Sequence, residues 1–326
     1  MREAYYWEAI REALRHEMAR DERVVLLGED IGAYGGAFKV TRGLLDEFGP
    51  ERVIDTPISE AAVTGICAGA AMTGMRPVME IMFMDFITLA FDQLLNHAAK
   101  YRYMYGGAVK VPMVIRTPTG GGRGYGATHS QSLESWTAKI PGVKVVAPAF
   151  CEDARGMLIS AIRDDNPVVF VEHKKLYGAK GELGDEAKAA PLGKAKVVKE
   201  GSDVTVISYS WMLHRCLEAA RELEKEGVSC RVLDLRSLKP LDEEAVFEAV
   251  EATGRVVLAE EGVRTMGIGA ELAARIAEEC LFSLDAPPVR VAAPDTHIPC
   301  SPPLEKAVIP GPAAVIQAVR RVMSDE

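Results

Sequence analysis

The chain has 326 residues, enough at about 150 residues per domain to bury two separate hydrophobic cores. With 48% apolar, 26% charged and 6% aromatic residues, its composition is that of a folded globular protein and excludes disordered, collagenous and coiled-coil classes. The 47 acidic residues against 38 basic ones give a net charge of -9, without the basic field that binding to a phosphate backbone requires, so nucleic acid is excluded as a partner.

Short β-rich apolar runs alternate with helical patterns from the start of the chain. Strands are predicted at 24–27, 52–54, 77–83, 112–116, 143–147 and 167–172, and helices at 5–20, 60–74, 86–104, 132–139 and 151–163. Strands that alternate with helices predict a mainly parallel sheet covered on both faces. From Lys174 to about Asp203 the pattern dissolves into Gly178, Gly181, Gly184, Pro191 and Gly193 interleaved with lysines, which reads as a solvated linker. Beyond it, strands at 204–208, 229–235, 255–260 and 289–293 with helices at 211–227, 242–252, 268–279 and 313–324 predict a second, smaller α/β domain. The expected partition is a first domain over 1–185, a linker over 186–202 and a second domain over 203–326.

The cysteines at 67, 151, 216, 230, 280 and 300 form no Cys-x-x-Cys pair and no metal-ligand spacing, and read as buried thiols of a reducing cytoplasm. Met1 opens directly into a charged amphipathic helix pattern without the apolar core of a secretory signal, and no apolar run approaches the roughly 18 residues that span a bilayer. A cytoplasmic protein with no membrane partner is the expectation.

No Gly-x-Gly-x-x-Gly follows a strand, and neither a Gly-x-x-x-x-Gly-Lys loop nor a Gly-x-Ser-x-Gly elbow occurs. The run Gly120-Gly121-Gly122-Arg123-Gly124-Tyr125-Gly126 lacks the dinucleotide spacing; it reads as a mobile surface loop or as a loop that lets backbone approach a ligand. Asp55-Thr56-Pro57-Ile58-Ser59-Glu60 leaves a strand and enters a helix with Ser59 as the expected N-cap. That puts Glu60 at the carboxyl end of a strand, where open α/β sheets bind ligands, although a first-turn Glu also complements the helix dipole. Gly28-Glu29-Asp30 ends the first strand in the same way. Phe86 follows the third strand, where core packing is the alternative. His129 ends the glycine-rich run, and an imidazole titrating near neutral pH is suited to proton transfer there. Ala61, Gly65, Gly69 and Thr73 lie at i+4 spacing; two interior glycines cost about 1 kcal/mol each, which predicts a tight helix crossing, with a subunit interface as its setting. Residues 161–167, Ala-Ile-Arg-Asp-Asp-Asn-Pro, read first as a helix stop, and alternatively as oxygen donors for a hard cation.

Taken together, Leu27-Gly28-Glu29-Asp30, Asp55 to Glu60, Phe91-Asp92-Gln93, Ala127-Thr128-His129-Ser130-Gln131-Ser132 and Ala161 to Pro167 make a recognisable set. The chain resembles, over essentially its whole length, the beta subunit of the thiamine-diphosphate-dependent decarboxylating first component of 2-oxo acid dehydrogenase complexes. The resemblance implies a transketolase-like α/β fold with a pyrimidine-binding domain and a C-terminal domain, in an alpha2-beta2 heterotetramer whose cofactor lies between subunits. It implies that Glu60 hydrogen-bonds the cofactor's pyrimidine nitrogen and favours the imino tautomer that deprotonates the thiazolium carbon. Phe86 would pack on the pyrimidine with Glu29 beside it, and His129 would serve acyl transfer to the lipoyl group of the acyltransferase component. Met113, Ala161, Ile162, Asp164 and Asn166 would hold a structural potassium ion, which reverses the helix-stop reading of that segment. The cofactor's diphosphate needs magnesium held by a Gly-Asp-Gly and a downstream Asn; this chain has no Gly-Asp-Gly, so an alpha subunit must supply that half. Pyruvate, acetoin and branched-chain 2-oxo acids all stay open as substrates, with Leu89 and the stretch Tyr101 to Gly107 as the positions that separate them. The rivals are half of another transketolase-like enzyme and a non-catalytic electron-transfer or nucleotide-binding module, the latter lacking the phosphate loop it would need.

Overall fold

Uninterrupted runs such as Val24-Val25-Leu26-Leu27 suit strands buried on both faces, and the chain uses them to build two sheets in two units. The computed structural model describes residues 1–324. The first unit comprises Met1–Thr119 and Trp136–Leu192, and the second Gly120–Ser135 and the chain from Gly193 onward.

In chain order the elements up to residue 119 are β1 (Arg2–Tyr5), α1 (Tyr6–Arg20), β2 (Val24–Gly28), α2 (Leu44–Phe48), β3 (Val53–Asp55), α3 (Glu60–Met72), β4 (Arg76–Glu80), a 3-10 turn (Met84–Phe86), α4 (Ile87–Asp92), a π-helical turn (Gln93–Ala98), α5 (Ala99–Met104) and β5 (Val114–Thr119). There follow α6 (Glu134–Ala138), β6 (Lys144–Val146), α7 (Cys151–Arg163), β7 (Val168–His173) and β8 (Lys180–Leu183). The strands pair in parallel in the order β3, β2, β4, β5, β7, β6. β2, β5 and β7 are buried along their whole length. α1 turns Ile10, Leu14 and Met18 inward at helical spacing, and α7 does the same with Ala154, Met157, Leu158 and Ile162; the two helices pack together.

Two expectations are corrected in this unit. Residues 2–5 form a strand instead of opening a helix, paired antiparallel with β8, Arg2 opposite Leu183 and Tyr5 opposite Lys180. The stretch from Lys174 is no solvated linker: Lys174 is fully buried, a 3-10 turn follows at Leu176–Gly178, and β8 comes next.

The second unit contains β9 (Lys196–Lys199), β10 (Val204–Ser208), α8 (Ser210–Glu224), β11 (Cys230–Asp234), β12 (Ser237–Lys239), α9 (Glu243–Glu251), β13 (Val256–Val263), α10 (Ile268–Glu279), β14 (Val289–Ala293), α11 (Pro302–Val308) and α12 (Pro312–Met323). Its five-stranded sheet runs β14, β13, β10, β11, β9, parallel except for the antiparallel edge strand β9. No helix among the described residues is long and apolar enough to cross a membrane.

Candidate active site

Parallel strands that end level with one another deliver their following loops to one edge of the sheet. Gly28 of β2 pairs with Asp55 of β3 and with Glu80 of β4, so the three strands finish together. Glu29 leaves β2, the turn to Glu60 leaves β3, and the turn to Phe86 leaves β4. The sheet therefore gathers Glu29, Glu60 and Phe86 at the carboxyl ends of three adjacent strands. Local bonds hold the turns: Gly32 N–H donates to Asp55 Oδ1 at 2.7 Å, and Thr56 N–H to the Gly28 carbonyl at 2.9 Å.

Glu60 is the first residue of α3 and only 7% exposed. Ser59 holds the N-cap position but makes no side-chain cap hydrogen bond, contrary to expectation. The helix start is instead braced by the Thr64 hydroxyl, which donates to the Glu60 carbonyl at 2.7 Å. The Glu60 carboxylate takes part in no hydrogen bond or ion pair among the described residues. Burial raises the pKa of Glu29, and the neighbouring charges of Glu60 and Asp30 raise it further.

Phe86 is half-buried and meets Phe83 edge to face at 6.4 Å. Behind it stands an aromatic series that sequence reading missed: Phe83 against Phe38 at 6.0 Å, and Phe38 stacked on Tyr177 at 4.6 Å. The Tyr177 hydroxyl donates to Glu172 at 2.5 Å, and Glu172 accepts both Nε and Nη2 of Arg116 at 2.7 and 2.9 Å. Arg116 Nη1 also donates to Glu80 at 2.8 Å. Burial works against the Arg116 charge, but Glu172 and Glu80 outweigh it and raise its pKa, while burial and then Glu172 push the Tyr177 hydroxyl far above its usual range. These residues sit on β4, β5, β7 and the turn after it, so no local spacing announces them. A flat heteroaromatic ring with a hydrogen-bonding nitrogen fits this edge, since it supplies a partner for the orphaned Glu60 carboxylate and a face for Phe86.

His129 lies in the second unit, at the end of the glycine-rich run, with Nδ1 2.9 Å from Thr128 Oγ1. Three amides of that run are held within the unit: Gly121 donates to Glu261, and Gly122 and Gly124 to Glu305.

Of the residues expected to hold potassium, Ile162, Asp164 and Asn166 come together at the end of α7. The carbonyls of Ile162 and Asp164 converge on Arg76 Nη1 at 2.8 and 3.1 Å. Lys144 reaches the Asp164 carboxylate, and Arg102 donates to Asn166 Oδ1 at 2.8 Å. The Met113 carbonyl accepts from Val168 N–H at 3.0 Å and that of Ala161 from Asp164 N–H at 3.3 Å. The donors are hard oxygens and each carbonyl keeps a second lone pair, but Arg76, Lys144 and Arg102 already engage them, and their positive charge opposes a cation at this spot.

Comparison with known proteins agrees with this architecture. Residues 2–180 match the family described as transketolase, pyrimidine binding domain, and residues 193–315 match transketolase, C-terminal domain. The chain is 45% identical over 315 residues to the pyruvate dehydrogenase E1 component subunit beta of Rickettsia bellii, covering 97% of each chain. It is 47% identical over 319 residues to the 2-oxoisovalerate dehydrogenase subunit beta of Bacillus subtilis, covering 97% of this chain and 98% of that one. It is 45% identical over 325 residues to the acetoin:2,6-dichlorophenolindophenol oxidoreductase subunit beta of Cupriavidus necator, covering 97% and 96%. Among solved structures, one titled split gene transketolase, inactive beta4 tetramer, superposes with a TM-score of 0.81 at 27% identity over 98% of both chains. The chain belongs to the transketolase-fold family of 2-oxo acid and acetoin dehydrogenase beta subunits.

Proposed function

We propose that this chain works with an alpha subunit as the thiamine-diphosphate-dependent first component of a 2-oxo acid or acetoin dehydrogenase, passing the acyl product to a lipoyl-bearing acyltransferase. The observation that carries the reading is Glu60: a buried residue at a strand-end edge, beside a second glutamate of raised pKa, its carboxylate without a hydrogen bond or ion pair among the described residues. When bound, thiamine diphosphate supplies a carbon nucleophile and an electron sink for loss of carbon dioxide. Glu60 holds the proton shared with the pyrimidine nitrogen, Phe86 packs on that ring, and Glu29 lies beside it. His129 assists the transfer to the lipoyl group. Magnesium belongs to the alpha subunit. Potassium, held by Met113, Ala161, Ile162, Asp164 and Asn166, would have a structural role, taking the second lone pairs of carbonyls that Arg76 already gathers. The six reduced thiols, five of them buried, suit the cytoplasm.

The half-transketolase alternative is disfavoured by identity, 27% to the split transketolase against 44–47% to dehydrogenase subunits. The three relatives' substrates are not separated by identity, which leaves pyruvate, acetoin and branched-chain 2-oxo acids in contention. Titration calorimetry tests the split site. The chain alone is expected to show no micromolar magnesium-dependent binding of thiamine diphosphate, and the chain reassembled with an alpha subunit is expected to show it. Tight binding by the isolated chain refutes the split. A kcat/KM panel on the three substrate types then assigns the substrate.

A further inference from the structure

A glycine-rich backbone has no order of its own, and here the ordering groups come from residues 140 to 183 positions away. Gly122 and Gly124 N–H donate to Glu305 at 2.7 and 3.1 Å, and Gly121 N–H donates to Glu261 at 2.6 Å. Glu305 is 4% and Glu261 8% exposed, so these are charge-assisted hydrogen bonds shielded from water. The missing side chains allow the approach. A Cβ on Gly121 would stand 2.6 Å from Ile309 Cδ1, one on Gly124 3.2 Å from the Cys300 carbonyl oxygen, and one on Gly126 3.3 Å from Cys300 Cβ. Gly124 and Gly126 also adopt φ of +72° and +76°, which a side chain would strain. From this anchored stretch the order passes directly to the imidazole-bearing turn. His129 N–H donates to the Gly126 carbonyl at 3.3 Å, and Gly120 N–H donates to the Gln131 carbonyl at 3.3 Å, closing the base of the loop.

We propose that Glu305, seconded by Glu261, is a positioning residue that clamps the 120–131 loop and thereby sets the place of His129; the purpose of the clamp rests on the transfer role given to His129 above. Neither glutamate touches a reacting group. Both act by satisfying amides that would otherwise leave the loop free to open.

Arg123, exposed within the loop, makes trypsin the direct probe. In the full chain, Glu305→Ala is expected to accelerate cleavage after Arg123 by about tenfold or more, because cleavage follows the population of opened backbone and a hydrogen bond to a charged group is worth about that factor. Glu305→Gln keeps one acceptor oxygen and is expected to fall between Glu305→Ala and the wild type. Equal cleavage rates in all three proteins overturn the clamp. Should Glu305→Ala fail to fold, Glu305→Gln and Glu261→Gln carry the same comparison. In enzyme reassembled with an alpha subunit, Glu305→Ala is expected to lower kcat with a lipoyl acceptor by about tenfold while dye reduction, which bypasses that transfer, stays within about twofold. Parallel losses with both acceptors, or none with either, overturn the positioning role. His129→Ala separates the two layers: if it spares lipoyl transfer while the trypsin result holds, the role of His129 falls and the clamp stands.

Discussion

Replacing Glu60 distinguishes a functional carboxylate from a helix-capping one, because the two roles predict opposite ratios of stability loss to activity loss. As the first residue of the thirteen-residue helix α3, Glu60 gains from the helix dipole about 0.3 to 1 kcal/mol. Against this stand its low exposure without a hydrogen-bond partner among the described residues, and its repulsion with Glu29. The terms oppose one another, so Glu60→Gln, which keeps the shape and removes the charge, should leave stability within about 1 kcal/mol, a shift of about 4 °C or less in Tm for a unit of this size. Losing the proton relay to the ring nitrogen should meanwhile slow hydrogen–deuterium exchange at the thiazolium carbon by about 100- to 10,000-fold, the usual weight of a general acid–base group. The assay is that exchange, followed by NMR in the enzyme reassembled with its alpha subunit, beside a thermal melt of the same sample. Wild-type exchange in Glu60→Gln, or a melt lowered by more than 10 °C together with lost activity, would refute the reasoning and return Glu60 to a structural role.

Three further outcomes are expected. The Ala61, Gly65, Gly69, Thr73 stripe faces outward, and a Cβ on Gly69 meets nothing within 4 Å whereas one on Gly65 stands 3.1 Å from Gln93 Oε1. Gly69→Leu should therefore leave the melt of the isolated chain unchanged yet weaken assembly with the alpha subunit by about 1 to 3 kcal/mol, read by native mass spectrometry; intact assembly would show that α3 is not a crossing helix. Arg116→Met strands the buried Glu172 and should cost about 3 to 5 kcal/mol, or about 6 to 20 °C in Tm. Arg116 opposes the rise that burial gives the Glu172 pKa, so removing it lets burial raise that pKa further in the variant; the deficit should grow as pH rises from about 4.5 and shrink in acid, and a pH-independent deficit contradicts this. Replacing sodium by potassium should raise Tm, and Asn166→Ala should reduce that response; identical melts in both salts would remove the cation from segment 161–166.

Much of the architecture is written in local pattern. The apolar runs of β2 and β7 and the punctuation by Pro57 and Pro167 are short-range signals, and α7 and α10 begin and end where periodicity places them, at 151–163 and 268–279. Glu60 was legible for the same reason, because a strand-to-helix turn six residues long fixes where its side chain must emerge. What escaped was set by distant partners. β1 and β8 lie nearly 180 residues apart and expose most of their side chains, so neither shows the alternation that marks a strand. Lys174 read as solvated because lysine usually is, whereas its ammonium sits over the Phe83 ring at 5.2 Å within a buried cluster. Arg116 and Glu172, 56 positions apart, become neighbours only through the pairing of β5 with β7.

The buried carboxylates show where a ligand is missing from the chain's own interactions. Glu17 is held by Arg163 and Arg20, Glu172 by Arg116 and Tyr177, Glu260 by the amides of Ile268 and Gly269, Glu261 by Gly121, and Glu305 by Gly122 and Gly124. Glu60 differs from them: it is 7% exposed, and its carboxylate has no hydrogen bond or ion pair among the described residues. It stands where three strands end level, beside Glu29, whose pKa burial and then the Glu60 charge raise. On the reading proposed above, a pyrimidine nitrogen would supply the partner that Glu60 lacks among the described residues, and the exchange and melting measurements on Glu60→Gln test that assignment.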